Sequence, residues 1–421
     1  MRLVVWVFIA ILPLSWQVKA TSIITEQQVL QIFFEKNLPL LVGRTQLDSA
    51  QAELAIARQL SNPSLSLSVS GIGKSQNWQG GASYWDKPYN NNLSINQLIE
   101  TAGKRQLRIE AAQLGVEAQT LLFEDLLRAL KREVLLAYYD VVKQQKVVAL
   151  YNEILLKLNE TSRANFLRLK AGDISETEFN RIELAVLKAK IDVDQAHLFL
   201  NLSRQQLSEL LVYHFEPDQL AVQDAFPLAS VNKAQTNADW VNQALLVRPD
   251  VRALQLLVEQ QVKSVALAEK LTLPDVQVAM QLVHDPSAVV RDSVGFGVGM
   301  SLPLWHQFQG EVQKARASKR LSELTLFQLQ QQVKTQVLQA YAQFQQKQRV
   351  LERFDKELIA KAVQIRNASI LAYRQGAISL LELLDAENNY RTTMLDYTQA
   401  QYELIQAQLS LEYAVGDEGK R

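Results

Sequence analysis

The sequence predicts a mainly α-helical protein with four short β-strands, arranged as two copies of one pattern. Three observations lead to this fold class. Long tracts contain neither glycine nor proline and are rich in residues that favour helices. Short segments between these tracts alternate apolar and small polar residues with a period of two. Both kinds of segment occur in each half of the chain, so we expect an internal two-fold repeat of helix, strand, strand and long helical hairpin.

The helical tracts are much longer than the helices of an ordinary globular domain. They cover 116–171, 173–216, 311–375 and 377–415. Apolar residues recur within them at helical spacing, as at Val333, Val337 and Ala340, which predicts one buried face for each helix. At roughly 1.5 Å per residue the third tract would measure about 100 Å. The tracts therefore predict an elongated coiled-coil body.

A single glycine separates the two tracts of each half. The sequence Gly-x-Ile-Ser occurs at Gly172 and again at Gly376. Glycine can take the left-handed conformation that ends one helix, and the serine can cap the next. Each pair of tracts is therefore predicted to form a helical hairpin. One continuous helix that tolerates a glycine is the alternative, and the repetition of the motif favours the hairpin.

Four candidate strands lie where the helices are interrupted. They are the segments 64–70, 93–99, 276–282 and 294–302. In the first of them Leu65, Leu67 and Val69 alternate with serines, which gives the strand one apolar face. Four strands cannot close a barrel around a duct, and an open edge in lipid would leave backbone groups unpaired. If these strands enter a membrane, several chains must share one barrel.

The start of the chain has the pattern of a secretory signal peptide. Arg2 precedes an apolar run from Leu3 to Leu14, and Val18-Lys19-Ala20 forms a small-residue cleavage site. The run is shorter than the roughly 20 residues that a spanning helix needs, which favours cleavage over an uncleaved anchor. The predicted division of the chain is signal peptide 1–20, first repeat 21–213, linker 214–239, second repeat 240–416 and C-terminal tail 417–421.

Composition and motifs exclude several classes of function. The 44 Lys and Arg residues balance the 44 Asp and Glu residues, so no global field recruits nucleic acid. The absence of cysteine removes disulfides, thiolate metal sites and a lipid anchor. The scattered histidines lack metal-binding spacing; they are His197, His214, His284 and His306. No nucleophile elbow or phosphate-binding loop occurs. We therefore expect no enzyme activity, no cofactor, no metal site and no nucleic-acid partner.

Over essentially the whole mature length the chain resembles the TolC-like outer membrane factors, or outer membrane efflux proteins. Ile99–Arg105 is similar to the Gly-Lys-Arg segment of the cobalt-zinc-cadmium resistance (CzcC-like) branch, and Pro303-Leu304-Trp305 to its second-repeat counterpart. Leu38 and the pair Thr101-Ala102 depart from the pattern of that branch. The resemblance implies a homotrimer in the outer membrane, and the absence of cysteine predicts that it is not lipidated. A shared 12-stranded barrel would cross the membrane, and the hairpins would form a periplasmic α-barrel.

The resemblance also implies partners and a cargo. It implies a periplasmic adaptor (membrane fusion) protein, an inner-membrane pump of the resistance-nodulation-division type and contact with outer-membrane lipid. The cargo would be heavy-metal cations. The hairpin tips would meet the adaptor, through Arg168, Ala171, Gly172, Arg374, Gly376 and Ser379.

A channel gate is expected beside the second tip. Glu382 and Asp385 lie three residues apart and so share a helix face, and a three-fold axis would turn them into two rings of carboxylates. An ordinary solvated helix face explains the same spacing, and the resemblance favours the gate. Glu178 and Arg181 have the same offsets from the first tip, which predicts a salt bridge between the hairpins that closes the tip.

Two other functions remain open. A channel for drug efflux or type I protein secretion would have the same architecture, because the pump delivers the cargo. A function of another class is an exported structural coiled-coil protein whose strands form a small soluble sheet. The strands distinguish a channel from the structural protein. A soluble sheet buries its apolar face under its own helices, whereas the strands of a membrane barrel line a water-filled channel with small polar groups.

Overall fold

The structure is a computed structural model. It describes residues 23–72, 85, 89–212, 221–223, 225–227, 236–286 and 288–416. The predicted signal peptide 1–20, the tail 417–421 and most of the linker 214–239 lie outside the described residues. The predicted division into repeats therefore stays a prediction.

Helices make up most of the described chain, and the mainly α-helical fold class is confirmed. In chain order they are α1 (Glu26–Lys36), α2 (Leu38–Arg58), α3 (Lys104–Ala171), α4 (Glu176–Leu211), α5 (Asn237–Val247), α6 (Pro249–Lys270), α7 (Gln309–Arg353), α8 (Ile359–Arg374) and α9 (Leu380–Val415). The four predicted tracts correspond to α3, α4, α7 with α8, and α9. With 68 residues, α3 is about 100 Å long at roughly 1.5 Å per residue.

Two helical tracts differ from their predicted form. α3 begins at Lys104, so Gly115 lies inside the helix instead of preceding it. A Cβ atom on Gly115 would lie 3.0 Å from Nε2 of Gln260, so a side chain of α6 occupies the space that the glycine leaves. The tract 311–375 is not one α-helix, because a π-helical turn, Phe354–Leu358, separates α7 from α8.

The four predicted strands form one antiparallel sheet. They are β2 (Ser64–Ser70), β3 (Asn90–Ile99), β5 (Val276–His284) and β6 (Asp292–Met300), paired in the order β2-β3-β5-β6. β6 ends at Met300, so Leu302 lies outside the strand in which it was predicted. Two further segments, β1 (Ile23–Ile24) and β4 (Ala221–Val222), pair in parallel. The sequence did not predict this pair, since two residues are too few to show alternation.

The two faces of the sheet differ in chemistry. One row across the four strands reads Leu67, Leu93, Leu282 and Val294, and the next row reads Ser66, Ser94, Gln281 and Gly295. The described helices leave the apolar face uncovered, since Phe296 is 80% exposed and Val298 is 72% exposed. The described sheet therefore lacks the buried apolar face expected of a small soluble sheet.

The chain divides into two compact units. The hairpin unit comprises the described residues of 1–37, 133–228 and 349–405, and the sheet unit those of 38–132, 229–348 and 406–421. In the hairpin unit, α3, α4, α8 and α9 pack around one apolar core. Its buried residues are Leu150, Ile154, Leu158, Ile182, Val186, Ala189, Tyr373, Leu380, Leu383 and Tyr390.

In the sheet unit, the Gly-Lys-Arg segment joins a strand end to a helix start. Lys104 is buried, and its Nζ donates to the carbonyl oxygen of Leu273 at 2.5 Å and to Oδ1 of Asp275 at 2.8 Å. Arg105 donates to the carbonyl oxygen of Arg58 at 2.5 Å. The segment thus ties the start of α3 to the residues that precede β5 and to the end of α2.

Candidate functional site

Both predicted helical hairpins are present, and each turns at its glycine. Gly172 and Gly376 have φ angles of +81° and +73°, a conformation that other residues rarely adopt. The N–H of Gly172 donates to the carbonyl oxygen of Leu169 at 3.0 Å, and that of Asp173 donates to the carbonyl oxygen of Arg168 at 2.9 Å. This is the Schellman arrangement that ends a helix. The alternative of one continuous helix is wrong.

The second turn has the same arrangement. The N–H of Gly376 donates to the carbonyl oxygen of Tyr373 at 3.0 Å, and that of Ala377 to the carbonyl oxygen of Ala372 at 2.8 Å. We call α3 with α4 the first hairpin and α8 with α9 the second hairpin. The shared Gly-x-Ile-Ser motif therefore forms the same kind of turn in both hairpins.

The serines of the motif cap the helices that follow, as predicted. Ser175 Oγ accepts from the N–H of Glu178 at 3.2 Å. Ser379 Oγ accepts from the N–H of Glu382 at 3.3 Å, and the Glu382 carboxylate accepts from the N–H of Ser379 at 2.8 Å. This reciprocal pair is a capping box. The proposed gate residue Glu382 is therefore held in place by the cap of its own helix.

Glu382 and Asp385 are exposed on the first turns of α9, and their spacing puts them on one face. Asp385 accepts a hydrogen bond from the side-chain amide of Asn389 at 3.1 Å. Among the ion pairs of the described residues, none joins Arg181 to Glu382 or Asp385. The salt bridge between the hairpins that would close the tip stays a prediction.

A hydrogen bond links the two hairpins close to the turns. The buried Tyr373 hydroxyl donates to Oδ1 of Asn165 at 2.7 Å, and the Arg168 guanidinium carbon lies 5.7 Å from the centre of the Tyr373 ring. Burial and the negative charge of Glu178 raise the pKa of Tyr373, so the neutral, donating phenol is favoured. Arg168 and Glu178 thus surround Tyr373, which the sequence analysis did not select.

An ionic cluster lies deeper in the hairpin unit. Arg366 of α8 donates through Nε to both carboxylate oxygens of Glu387, at 3.1 and 3.0 Å, and through Nη1 to Oε1 of Glu153 at 2.6 Å. Its guanidinium carbon lies 4.1 Å from the centre of the Tyr390 ring. A separate pair joins Arg391 of α9 to Asp192 of α4 at 3.0 Å. The contacts of Glu153 and Asp192 connect the first hairpin to the second, whereas the contact of Glu387 lies within the second.

Sequence reasoning missed Arg366, although one signal was available. Arg366 lies four residues after Ala362 and four before Ile370, and both of these side chains pack against the apolar core. A charged residue in the apolar stripe of a helix must find a buried partner. The stripe alone could not indicate which carboxylate provides it.

The remaining predicted tip residues lie at the surface. Ala171, Gly172, Arg374, Gly376 and Ser379 are exposed, whereas Arg168 is half-buried. Exposed apolar side chains flank the turns, namely Leu167, Leu371 and Leu381. A mixed apolar and basic surface of this kind is typical of sites that contact other proteins.

One face of α4 carries an exposed apolar stripe opposite its buried face. The stripe residues are Leu184, Leu187, Ile191, Leu198 and Leu202. Their spacing of three, four, seven and four residues matches the seam of a coiled coil. Each of these side chains is at least 50% exposed, so within the part of the chain that the structure describes no helix covers the seam.

The histidines that the structure describes lie apart from the tips. His284 pairs with Asp292 at 2.7 Å, and His306 pairs with Glu311 at 3.0 Å. The described residues contain no group of three acidic or histidine side chains placed to hold a metal ion. In the described part of the chain, no helix combines the length with the apolarity that a membrane crossing requires.

Comparisons with known proteins cover most of the chain. The family model described as Outer membrane efflux protein matches residues 29–211 and 240–417. The cobalt-zinc-cadmium resistance protein CzcC of Cupriavidus metallidurans is 22% identical over 94% of this chain and 91% of that protein. Toxin and drug export protein A of Aggregatibacter actinomycetemcomitans is 22% identical over 71% of this chain and 66% of that protein. The solved structure of CusC has a TM-score of 0.75 at 16% identity and covers 93% of this chain and 92% of that one, which shows a common fold.

Proposed function

The chain belongs to the outer membrane efflux protein family, and from that premise we propose that three copies of it form the export duct of a tripartite pump for heavy-metal cations. As a member of this family it is an outer-membrane channel protein and not an enzyme. The observation that carries the proposal is the four-stranded sheet with an uncovered apolar face. The trimer, the partners and the cargo are parts of the proposal.

The sheet supports a shared barrel. β2 and β6 are its outer strands, so each pairs along one side only within the described chain. An unpaired strand edge is costly in lipid, and joining β6 of one copy to β2 of the next removes it. Three copies supply twelve strands, an even number within the range of outer-membrane barrels. The exposed apolar face would contact lipid and the face of serine, asparagine, glutamine and glycine would line the duct.

The helices support the same assembly. The exposed seam on α4 needs a covering helix, and a neighbouring copy supplies one without any change to the fold of the chain. We propose that α4 packs on the next copy and that three pairs of hairpins surround a periplasmic channel. The seam then becomes part of the core of the trimer.

The gate supports passage of cations. A three-fold axis would bring three copies of Glu382 and of Asp385 together as two successive carboxylate rings, which attract cations and oppose anions. Similarity to CzcC, named for cobalt-zinc-cadmium resistance, supports divalent metals as cargo. Similarity to Toxin and drug export protein A supports the alternative, a duct for drugs or secreted proteins.

The exposed tip surface supports a protein partner. Arg374, Ser379 and the apolar side chains beside the turns would contact a periplasmic adaptor, which connects the duct to an inner-membrane pump. The half-buried Arg168 would contribute to positioning Tyr373 more than to this surface. The pump, which meets the cargo first, would select it.

Assembly is tested by gel mobility of the protein extracted from outer membranes in mild detergent, with and without boiling. We expect a trimer-sized band that becomes a monomer on boiling. Ile191→Glu places a charge in the α4 seam and should abolish this band. Lys190→Glu, which places the same side chain on the flank of α4, should keep it. A periplasmic monomer in the unmodified protein would overturn the channel and support the structural coiled coil.

Cargo is tested in a strain that lacks the gene. We expect lower tolerance of cobalt, zinc and cadmium salts, restored by the unmodified gene, with no change in tolerance of hydrophobic drugs. Increased drug sensitivity with unchanged metal tolerance would reject the metal cargo and leave the channel intact. The conductance of the purified protein in planar bilayers tests the channel itself, separately from the cargo.

A further inference from the structure

The connection from β6 to α7 is longer than the corresponding connection in the first half of the chain. Residues 100–103 join β3 to α3, whereas residues 301–308 join β6 to α7. We call residues 301–308 the rim loop. β3, β5 and β6 share one end of the sheet here, since Ile99 pairs with Val276 and Val276 with Met300. The rim loop therefore lies at the end of the sheet where α3 and α7 begin.

The apolar face of the sheet extends into the rim loop. Apolar side chains stand at every second position of β6, and the same spacing continues beyond the end of the strand. Each residue in this row is at least 55% exposed, namely Val294, Phe296, Val298, Met300, Leu302 and Leu304. In the proposed assembly the apolar face contacts lipid. The rim loop continues that surface and is expected to contact the same lipid.

Trp305 follows this row and is 94% exposed. An indole left in water forgoes the burial of a large apolar surface. Tryptophan is enriched where a membrane meets water, because its ring is apolar and its N–H is polar. The exposure of Trp305 next to a lipid-facing surface therefore indicates a position at the membrane interface.

The base of the rim loop is held by its own contacts. Nε2 of His306 lies 3.0 Å from Oε1 of Glu311 in α7, and the rings of His306 and Phe308 are 4.7 Å apart. Phe308 has a φ angle of +56°, and a residue with a large side chain keeps this conformation only where the surrounding structure enforces it. Trp305 thus belongs to a loop with a defined shape.

A cavity of 710 Å³ opens between the rim loop and the segment that leads from α6 to β5. Its apolar lining includes Leu271, Leu273, Pro274, Leu302 and Leu304. Lys104 also borders the cavity, but its ammonium group is paired with Asp275 at 2.8 Å. The cavity therefore suits a hydrocarbon chain better than an ion.

Basic residues follow the rim loop along the chain. The segment 301–320 contains one acidic residue, Glu311, and four lysines and arginines, which are Lys314, Arg316, Lys319 and Arg320. Lysine and arginine beside a membrane attract the phosphates of lipid headgroups. An apolar loop with a cavity, next to a basic helix start, matches the two parts of a phospholipid.

A neighbouring copy of the chain does not cover the same surface. In the proposed barrel the next copy pairs with β6 through backbone groups, in the plane of the sheet. The side chains of β6 stand roughly perpendicular to that plane. Pairing between copies therefore leaves the apolar row and its extension in the rim loop open to lipid.

We propose that the rim loop is a phospholipid-docking site. Leu302, Leu304 and Trp305 enter the membrane leaflet on the helix side of the sheet, and one acyl chain of a phospholipid occupies the cavity. The phosphate of the same lipid lies toward the start of α7. The inference rests on the proposed function, because it requires the sheet to lie in the outer membrane.

Contact with lipid is tested on the full chain reconstituted into vesicles of phosphatidylethanolamine and phosphatidylglycerol. The acyl chains carry bromine near the headgroup, which quenches the fluorescence of a tryptophan that touches it. Trp305→Phe should lower the amount of fluorescence that is quenched. Trp240→Phe is the control, because Trp240 in α5 is only 7% exposed, and it should leave the quenched amount unchanged. Bromine near the chain ends should quench Trp305 less.

Occupation of the cavity is tested by titrating the delipidated protein in detergent with a short-chain phosphatidylglycerol. Leu304→Gln should weaken binding about tenfold, the effect of losing the burial of one leucine side chain. Leu321→Gln is the matched control, because Leu321 lies on α7 outside the cavity lining and is 66% exposed, close to the 63% of Leu304. This control should bind the lipid as the unmodified protein does.

The outcomes separate the docking site from the proposed function. Unquenched Trp305 in a protein that runs as a trimer would overturn the docking site and show that another copy covers the loop. Equal binding by the Leu304→Gln and Leu321→Gln variants would overturn the cavity as the place of the acyl chain. Absence of a trimer band from outer membranes in the unmodified protein would instead overturn the proposed function.

Discussion

The hydroxyl of Tyr373 donates a hydrogen bond of 2.7 Å to Oδ1 of Asn165, and this buried bond joins the second hairpin to the first. Tyr373 lies three residues before Gly376, the residue at which the second hairpin turns. The bond therefore fixes the position of the turn relative to α3. Removal of the bond should therefore destabilise the turn.

Tyr373→Phe removes the donor and leaves the buried Asn165 oxygen without its partner. We expect a loss of about 1–2 kcal/mol in the free energy of unfolding, because a buried polar group then lacks a hydrogen bond. Asn165→Ala and the double variant complete a double-mutant cycle, measured by thermal unfolding. A coupling energy of about 1 kcal/mol is expected, and additive losses would show that the bond contributes nothing.

Gly376→Ala tests the turn itself. The φ angle of +73° at Gly376 costs an L-residue about 1–2 kcal/mol, so the thermal unfolding temperature should fall. Gly310→Ala is the matched control, because Gly310 lies in the first turn of α7 with nothing within 4 Å of an added Cβ. It should leave stability unchanged or raise it slightly, since alanine favours helix. Equal effects at the two positions would contradict the turn assignment.

Replacing the charges of the proposed gate while keeping the helix cap separates the proposed gate role of Glu382 from its role in the cap. Glutamine at this position preserves the capping box with Ser379 and removes the charge. The double variant Glu382→Gln with Asp385→Asn should reduce selectivity for cations over anions and weaken block by divalent cations, as reversal potentials in planar bilayers will report. Glu176→Gln, in the exposed first turn of α4, provides the control. Unchanged selectivity in the double variant would remove these carboxylates from the gate.

Lys104→Ala tests the joint between α3 and the sheet. The change removes contacts to Leu273 and Asp275 and leaves the Asp275 carboxylate without its cation. We expect a loss of about 1–2 kcal/mol, because the buried Lys104 contacts are lost while the Asp275 carboxylate, 28% exposed, stays partly solvated. Lys263→Ala breaks the exposed pair with Glu110 and should change the unfolding temperature little. Similar shifts for both would show that the joint is not a stability determinant.

Local patterns were sufficient for much of the fold. The hairpin turns were predictable because a Schellman turn and a serine cap depend on residues within a few positions of Gly172 and Gly376. The strands were predictable because alternation is a property of consecutive residues. The start of α3 at Lys104 was not predictable, because the sequence placed Gly115 before the helix. The side chain that occupies the space beside Gly115 is Gln260, which lies on another helix. The π-helical turn before α8 likewise has no signature in spacing or composition.

The sequence by itself determined the long helices, the two turns, the four strands with one apolar face each, the repeated order and the family. Each of these follows from the nature of neighbouring residues. Only the tertiary structure decided which polar groups meet, as for Arg366 with Glu153 and Tyr373 with Asn165, pairs separated by 213 and 208 positions. The physical reason is that burying a charge or a hydroxyl is tolerated only beside a partner, and long-range packing alone brings that partner into reach.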